Sequence, residues 1–474
     1  MPSVVEQLGR IVGPQSVLSA YSELMVYECD GFVIEKNCPD VVVFPASTED
    51  VAAIVKVCND YGVTFLPRGA GTSLAGGCLP VGGGVMIVLT RMKEILEINL
   101  RDRYAVVEPG VVNVWLTNAL KGTGYHFAPD PSSQGACTIG GNVATNSGGP
   151  HTLKYGVTVN HTLGVEAVMA DGSIVQFGGP AEDALGLDMT GTIVGSEGTL
   201  AIVTKIWVRL TPNPEGVRTM LGVFESAEDA TTAISQIIGA GIIPAALEMM
   251  DQGILVAVEA AFHFGFPLDA KAILLIEVDG LEAGLDVQRD RITQICQECG
   301  AREVRQAADS KQRLLLWKCR KQAFGAVGRL SPSYCTQDGV VPRTKLPYIL
   351  QRIGEIGQKY DIRIVNVFHA GDGNIHPILL FDERDHAQVA RVLAASDEIL
   401  DECIACGGSV TGEHGIGVEK INFMHKLFSP SDLEAMGRLR TALNPSGQLS
   451  PAKMLPVAGA CGLEQRHPGR RAAL

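Results

Sequence analysis

Glycine is concentrated in three stretches of the first half of this chain, and this feature constrains the fold more than any other. The sequence has 54 glycines in 474 residues, and the clusters span Gly69–Gly84, Gly135–Gly149 and Gly178–Gly198. Glycine permits positive φ angles and lets the backbone approach another group closely. Three such clusters indicate a backbone that wraps tightly around a large, flat molecule.

The residues around these clusters predict short strands that alternate with helices. Val41–Phe44 and Val63–Leu66 read as strands, and Thr48–Tyr61 between them has apolar residues close to helical spacing after a Ser-Thr N-cap signal. This β-α-β unit leads directly into the first glycine cluster. Further strands are expected at Val85–Leu89, Tyr104–Val107, Gly164–Met169, Ile174–Phe177 and Gly198–Val208.

A proline-containing breaker cluster at 211–214 marks the expected boundary between two domains. Beyond it, helices and strands alternate through Ala227–Ala240, Ala272–Val278 and Leu285–Cys299. This pattern predicts an α+β domain with helices on one face of an antiparallel sheet, and an α+β fold class for the chain. The expected units are a helical leader over 1–35, a first domain over 36–213, a second domain over 214–455 and a disordered tail over 456–474.

Composition and charge narrow the class of partner. The net charge is −13 and no basic run is visible, which argues against a nucleic-acid partner. No stretch reaches ~18 consecutive apolar residues, and the first residues lack the pattern of a secretory signal. The scattered cysteines then indicate reduced thiols. We expect a cytoplasmic protein, peripheral on the inner face of the cytoplasmic membrane only through a partner.

The first glycine loop follows a predicted strand and reads PRGAGTS over 67–73. Consecutive backbone N–H groups in such a loop can hold a pyrophosphate, and two hydroxyl side chains add donors. The spacing fits neither the Rossmann fingerprint nor the P-loop. Taken alone, the loop is equally consistent with a glycine-rich turn that binds nothing.

Three further motifs occur in a fixed order along the chain. They are PDPSSQGACTIGGNVATNSGG over 129–149, LKYG over 153–156 and GSEGTLAIVT over 195–204. Each would be an ordinary turn by itself, whereas the order and spacing of the whole set are far more specific. Together with the first loop, the set resembles the FAD-binding half of vanillyl-alcohol-oxidase-type (PCMH-type) flavoproteins. From about Tyr27 to Met454 the chain is most similar to the flavin subunits of bacterial glycolate oxidase and to D-lactate dehydrogenases.

The resemblance implies that the first domain binds FAD. Arg68–Ser73 would hold the pyrophosphate, and Glu197 and Ile202 would lie near the ribose and adenine. Some relatives attach the flavin covalently through a histidine beside the first loop, where this chain has Thr72 and Ser73, so non-covalent FAD is expected. The expected FAD contacts are Pro67, Arg68, Gly69, Ala70, Gly71, Thr72, Ser73, Pro131, Ser132, Ile139, Gly140, Gly141, Ala144, Gly148, Gly149, Tyr155, Gly156, Glu197, Gly198, Ile202 and Lys453.

A second constellation lies in the second domain. His369 and His376 flank a glycine-rich turn after a predicted strand over 361–368, and this turn can direct both imidazoles toward one point. Glu413 and His414 follow in a second glycine-bounded motif, TGEHGIG. Two histidines and a carboxylate form a common set of ligands for a divalent metal with open positions. The alternative is that these are ordinary hydrogen-bonded loop residues.

The resemblance assigns roles to these residues. His369, His376 and Glu413 would coordinate zinc or a similar ion, with manganese or iron also compatible, and His414 would be the general base. Arg320 would bind the substrate carboxylate, which suits a planar, fork-like cation. The expected substrate contacts are Arg320, Tyr334, Asn374 and His414.

These roles imply oxidation of a small D-2-hydroxy acid, glycolate or D-lactate, to the 2-oxo acid. The metal lowers the pKa of the substrate hydroxyl, a neutral histidine takes the proton, and flavin N5 takes the hydride. Companion flavin-like and iron–sulfur subunits are also implied, with a quinone as final electron acceptor. The chain departs from 2-hydroxyglutarate-type relatives at Ile378, where they have asparagine, and the sequence around Lys453 departs from the usual LNPGK.

Three alternatives stay open at this point. The substrate could be a D-2-hydroxyglutarate-type acid. A metal-dependent hydrolase could use the same two histidines and glutamate, with the glycine loops holding a phosphate. A non-catalytic subunit of an oxidase complex could keep the fold without turnover. Two CxxC pairs, at 296–299 and 403–406, are interpreted as buried thiols. The stretch Glu248–Asp251 matches the family but is interpreted as core packing.

Overall fold

The computed structural model describes residues 3–181 and 186–456. The chain opens with a four-stranded sheet in the spatial order Val17–Leu18, Val41–Val43, Val85–Val88 and Phe65–Arg68. The last three strands are parallel, and the first glycine loop leaves the carboxyl end of Phe65–Arg68. Open parallel sheets bind ligands at this end of their strands. The segment predicted as a helical leader thus also contributes an edge strand, paired antiparallel with Val41–Val43.

A five-stranded antiparallel sheet completes the first domain. The short helix Ile139–Thr145, which belongs to the second glycine cluster, packs Ile139 and Val143 against this sheet. Its first turn is capped by Thr138, whose hydroxyl accepts a hydrogen bond from the backbone N–H of Gly141. The strands, in spatial order, are Ile95–Asn99, Tyr104–Val107, Ala201–Arg209, Thr162–Met169 and Ile174–Gly178. A two-stranded ribbon pairs Tyr125–His126 with Thr211–Pro212.

The second domain is built on an eight-stranded sheet whose pairs are all antiparallel. The helices Ala227–Gly239, Leu285–Glu298, Leu346–Tyr360 and His386–Ala405 pack on one face. The helices Gln252–Phe262 and Ser310–Val327 pack on the other. The expectation of helices on one face is therefore wrong. The strands, in spatial order, are Ala301–Gln306, Gly216–Phe224, Ala272–Gly280, Ala246–Asp251, Arg363–His369, Asn374–Phe381 and Ser333–Thr336, with Gly339–Val340 also paired to Asn374–Phe381.

The end of the described chain returns to the first domain. Leu449 forms a parallel bridge with Phe65, and the backbone N–H of Ser450 donates to the carbonyl of Phe65 at 2.8 Å. The remaining helices are Val4–Val12, Tyr21–Leu24, Thr48–Tyr61, Asn113–Ala119, Thr152–Tyr155, Met189–Ile193, Met424–Leu427 and Pro430–Leu443. Residues 457–474, most of the predicted disordered tail, lie outside the described residues. Within the described ranges, no helix combines the length and apolar character needed to cross a membrane.

Candidate active site

One cavity of about 440 Å³ lies where the two domains meet. The glycine loops form one wall, and the opposite wall comes from helix Ser310–Val327, strand Ser333–Thr336 and the loop that carries Glu413 and His414. Thirteen of the predicted FAD contacts line it: Pro67, Gly69, Ala70, Gly71, Thr72, Ser73, Pro131, Ser132, Gly140, Gly141, Ala144, Glu197 and Gly198.

The loop wall is made of backbone because side chains would not fit there. Gly71 has φ +73°, and a Cβ at this position would collide with the guanidinium of Arg68. A Cβ at Gly69 would lie 2.6 Å from the hydroxyl of Thr138, and one at Gly140 would enter Pro109. A concave wall made largely of glycine backbone, with few charged side chains, suits a large flat cofactor that carries a pyrophosphate. The loop residues therefore fit FAD.

Four predicted FAD contacts lie behind this wall and support it. Arg68 donates from Nη1 to the Sγ of Cys78, which itself lines the cavity. Lys453 donates from Nζ to the carbonyl of Gly77, another lining residue, at 2.6 Å. Burial disfavours the ammonium and lowers the pKa of Lys453 to about 8. Ile139 and Ile202 are buried in hydrophobic clusters of the first domain.

Four more predicted contacts lie at the junction with the second domain or in turns. The hydroxyl of Tyr155 donates to Asp279 at 2.6 Å, so the LKYG motif ties the first domain to a strand of the second. The backbone N–H of Gly148 donates to Oε2 of Glu413 at 3.1 Å. Gly149 and Gly156 occupy turns with φ of +141° and +85°.

The predicted metal ligands come together. His369 ends one strand and His376 lies on the next, and their rings are 5.0 Å apart at an angle of 89°. Oε1 of Glu413 lies 3.1 Å from Nε2 of His369 and 3.3 Å from Nε2 of His376. Both histidines are buried. Two imidazole nitrogens and a carboxylate oxygen converging on one point fit a divalent metal ion.

Glu248 lies directly behind this cluster. The interpretation of its stretch as core packing is correct for the two buried methionines that follow it but wrong for Glu248 itself. Glu248 pairs across the sheet with His369, and its Oε1 lies 2.8 Å from Nδ1 of that histidine. Its other oxygen, Oε2, lies 2.5 Å from Nη2 of Arg320. Burial opposes ionisation, but Arg320 and His369 hold the pKa of Glu248 below its usual range. The sequence does contain a signal for this role, namely an acidic residue within the mostly apolar strand Ala246–Asp251. A charge buried in such a strand needs a partner of opposite charge.

The same carboxylates favour positive charge at His369. Burial alone would lower the pKa of this imidazole, but Glu248 and Glu413 raise it well above the usual range. A divalent cation at the cluster would satisfy the same negative surroundings. A ligating histidine typically places its second nitrogen against a carboxylate, as His369 does with Glu248.

His414 lines the cavity and stacks on His376, with ring centroids 5.0 Å apart and planes 9° from parallel. Burial disfavours the imidazolium and lowers the pKa of His414 to about 4. Its Nδ1 is buried with no hydrogen-bond partner within the described part of the chain. A neutral, buried imidazole beside the cavity can accept a proton at neutral pH.

The residues predicted to contact substrate occupy different depths. Tyr334 lines the cavity, as does Lys321, whose Nζ is 3.4 Å from Asp130. Arg320 is wholly buried behind them, and its Nε and Nη1 have no hydrogen-bond partner among the residues described. Asn374 is also buried, and its amide packs closely against Gly412.

Ile378, predicted to face the substrate tail, lies in the hydrophobic core of the second domain. Phe324 and Thr336 line the cavity instead. The ring of Phe324 meets His376 edge to face at 6.2 Å, which puts its bulk beside the histidine cluster. Arg320 and Phe324 are four positions apart on helix Ser310–Val327, so both side chains approach this end of the cavity.

A flavin-sized cavity walled by glycine loops and closed by a buried histidine–glutamate cluster defines the class of protein. The model of the FAD linked oxidases, C-terminal domain, matches residues 213–454, and that of the FAD binding domain matches residues 39–178. The chain belongs to the FAD-linked oxidase family and is an FAD-dependent oxidoreductase.

Individual relatives are similar over nearly the whole chain. The glycolate oxidase subunit GlcD of Escherichia coli (strain K12) is 44% identical over 459 residues, which cover 97% of this chain and 92% of that protein. Its counterpart of the same name from Bacillus subtilis (strain 168) is 39% identical, covering 95% and 96%. A D-lactate dehydrogenase from Anaerostipes hadrus is 30% identical, covering 88% and 90%.

The crystal structure of p-cresol methylhydroxylase with substrate bound superposes with a TM-score of 0.82 at 18% identity, covering 95% of this chain and 96% of that one. At this identity the likeness shows the fold alone. The PCMH-type fold, the FAD cofactor and the family predicted from the motifs are confirmed.

Proposed function

We propose that this chain oxidises a small D-2-hydroxy acid, glycolate or D-lactate, to the 2-oxo acid with non-covalently bound FAD. The observation that carries the proposal is one cavity bordered both by the glycine loops and by Glu413 and His414 of the histidine–glutamate cluster. A hydride acceptor and a proton acceptor can then reach one substrate carbon and its hydroxyl. The relatives named glycolate oxidase subunit and D-lactate dehydrogenase support the substrate class.

The metal ion of this proposal, zinc or alternatively manganese or iron, would be held by His369, His376 and Glu413. When bound, FAD supplies the hydride acceptor and the ion supplies a Lewis acid for the substrate oxygens. His414 takes the hydroxyl proton, because burial keeps its imidazole neutral. Glu248 holds the ring of His369 in the orientation that presents Nε2.

The end of the cavity that belongs to the second domain suits a short acid. Two nitrogens of Arg320, Nε and Nη1, have no hydrogen-bond partner among the described residues, and Lys321 adds a second cation, so a carboxylate is the matching ligand. Phe324 and Tyr334 add two bulky aromatic rings to the lining of this end of the cavity. These residues favour glycolate or D-lactate over a D-2-hydroxyglutarate-type acid.

The electrons leave the flavin through partners in this proposal. The Escherichia coli relative is named a subunit, which supports an assembly with companion flavin-like and iron–sulfur chains and a quinone as final acceptor. A cytoplasmic location, with membrane contact only through those partners, is part of the same proposal. The cysteines that the structure describes are free thiols, consistent with a reducing compartment.

An anaerobic absorbance titration of the purified protein tests the substrate class. Glycolate, D-lactate and D-2-hydroxyglutarate are added in separate cuvettes, and the flavin band is followed. We expect bleaching by glycolate or D-lactate and none by D-2-hydroxyglutarate. Bleaching only by D-2-hydroxyglutarate would replace the substrate class. A flavin that no acid reduces, in a protein that holds its metal, would refute the proposal.

A further inference from the structure

The loop Thr411–Gly417 carries both Glu413 and His414, and a buried carboxylate of the second domain holds its first part. Oδ2 of Asp338 accepts four hydrogen bonds from this loop: from the hydroxyl of Thr411 at 2.6 Å and from the backbone N–H groups of Gly412, Glu413 and His414 at 2.9, 3.2 and 2.9 Å. Asp338 is wholly buried, and the Nζ of Lys420 lies 3.7 Å from the same oxygen. Its charge is therefore directed into the loop backbone.

A carboxylate of the first domain holds the second part. Glu197 accepts hydrogen bonds from the backbone N–H groups of Ile416 at 2.7 Å and Gly417 at 2.8 Å. The intervening N–H, that of Gly415, donates to the hydroxyl of Thr411 at 3.0 Å. Each backbone N–H from 412 to 417 thus donates to a side-chain oxygen, so side chains satisfy the whole N–H edge of this loop.

This arrangement changes the reading of Glu197. The family resemblance implies that Glu197 lies near the ribose and adenine of FAD, and this residue does line the cavity. Both of its oxygens are nevertheless engaged with the loop that carries His414. Hydrogen bonds from backbone N–H groups to an ionised acceptor are among the stronger ones in proteins, so two such anchors make the loop stiff.

We propose that Asp338 and Glu197 are positioning residues that clamp the Thr411–Gly417 loop from the two domains and so fix Glu413 and His414 relative to the cavity. The inference rests on the proposed function for the roles of Glu413 and His414. The clamp itself is a property of the backbone and can be measured without substrate. Since Glu197 also borders the flavin cavity, the clamp ties the proton acceptor to the domain that holds the cofactor.

Hydrogen exchange of the holoprotein tests the clamp directly. In Asp338→Asn we expect the amides of 412–414 to exchange about 10- to 100-fold faster, the equivalent of a lost hydrogen bond to a charged group. In Glu197→Gln the amides of 416 and 417 should respond instead. The matched control is Asp251→Asn, because Asp251 is a half-buried carboxylate that likewise accepts from backbone N–H groups, those of Ile254 and Asn366, none of which belongs to this loop. Unchanged exchange over 412–417 in both variants would overturn the clamp.

Kinetics then separate positioning from general stability. Displacing His414 should lower kcat about 100-fold in Asp338→Asn with little change in KM, because misplacement of about 1 Å has an effect of this size. Metal content should fall as Glu413 moves, while the FAD content of Asp338→Asn stays as in the wild type. Equal kcat in wild type and variant, with metal retained, would refute the role in positioning.

A second pair covers the case in which Asp338→Asn does not fold. Thr411→Ser keeps the hydroxyl that joins Asp338 to Gly415, whereas Thr411→Val removes it at nearly constant shape. We expect Thr411→Ser to keep kcat and Thr411→Val to lose at least about tenfold. Equal activity of the two would contradict the clamp. If the wild type oxidises none of the acids, the proposed function fails, but the exchange result still decides the clamp.

Discussion

The two walls of the cavity differ in the kinds of residue that form them. The first domain contributes backbone, glycine and small hydroxyl residues, and Gly69, Gly71 and Gly140 have no room for a Cβ. The second domain contributes ionisable side chains, among them Glu413 and His414. The first wall selects a cofactor by shape and by N–H donors, and the second performs chemistry with charge. The two properties should therefore be separable by mutation.

The two walls also differ in what keeps them stable. Buried charges in the second domain require partners, and Glu248 satisfies this by bonding Arg320 on one side and His369 on the other. The glycine wall contains few charges and instead requires backbone angles such as φ +73° at Gly71. We therefore expect variants of the ionisable residues in the second domain to lose metal or turnover, and variants of the glycine loops in the first to lose FAD.

The largest expected effect is at His414. His414→Ala removes the proposed proton acceptor, and kcat should fall ~10³-fold, within the range for general bases. FAD content and metal content should remain as in the wild type, because neither set of ligands includes this side chain. Stopped-flow reduction of the flavin measures the change, with the exposed His425→Ala as control. A loss of FAD together with activity would show that the walls are not separable here.

Much of the fold could be predicted because its signals are local. Helix Thr48–Tyr61 has the predicted bounds, since Ser47 caps its start and Gly62, at φ +65°, ends it. Strand Tyr104–Val107 also has the predicted bounds. The faces of the second sheet could not be assigned, because helical periodicity identifies an apolar side of a helix but not the side of the sheet that it covers.

The candidate site shows the same difference between contiguous sequence motifs, which can be recognised, and contacts between residues that are distant in sequence, which cannot. The histidine motif and the GEHG motif were visible because each is contiguous. The carboxylates that support them were not: Glu248 lies 121 residues before His369, and Asp338 lies 76 residues before His414. Such pairings depend on how distant strands and loops meet in the folded chain, and a single carboxylate in the sequence carries no mark of its partner.

The second largest expected effect is at Glu248, which supports the histidine–glutamate cluster of the second domain. Glu248→Gln keeps the shape of the side chain but removes the charge that faces Arg320 and His369. Metal affinity should fall about 10- to 100-fold, as for other supporting carboxylates of ligating histidines. The free energy of unfolding should fall by about 3 kcal/mol, since Arg320 is left as a buried, uncompensated cation. Metal analysis after dialysis and chemical denaturation check both expectations.

The matched control is Glu166→Gln, which removes a carboxylate paired with Lys205 in the first domain. It should leave the metal content unchanged. Full metal retention in Glu248→Gln would instead mean that His369 needs no orienting partner.

The third largest expected effect is at Gly71, in the glycine wall of the first domain. Gly71→Ala places a methyl group where the guanidinium of Arg68 lies, at a φ that costs an alanine about 1–2 kcal/mol. FAD affinity should fall about tenfold, measured by flavin absorbance after gel filtration, while metal content is kept. Gly82→Ala is the control, since it has a similar φ of +81° and an added Cβ would meet no described atom within 4 Å. Equal loss of FAD in both variants would mean that backbone strain, and not the cofactor loop, is responsible.

The smallest expected effect is at Gly325, a glycine in the wall formed by the second domain. This variant tests whether the substrate reaches that wall. Gly325 lines the cavity from helix Ser310–Val327, and an added Cβ would meet no described atom within 4 Å beyond its own helical turn. Gly325→Ala should therefore stabilise the helix by about 0.5–1 kcal/mol while its methyl group occupies cavity space. We expect kcat/KM to fall about fivefold, and more for D-lactate than for glycolate, because the former carries the extra methyl. Gly354→Ala, in helix Leu346–Tyr360 and equally open, should give the stability gain alone. If Gly325→Ala gains stability without losing activity, the substrate does not reach this part of the wall, and selection by size must lie with Phe324 and Tyr334.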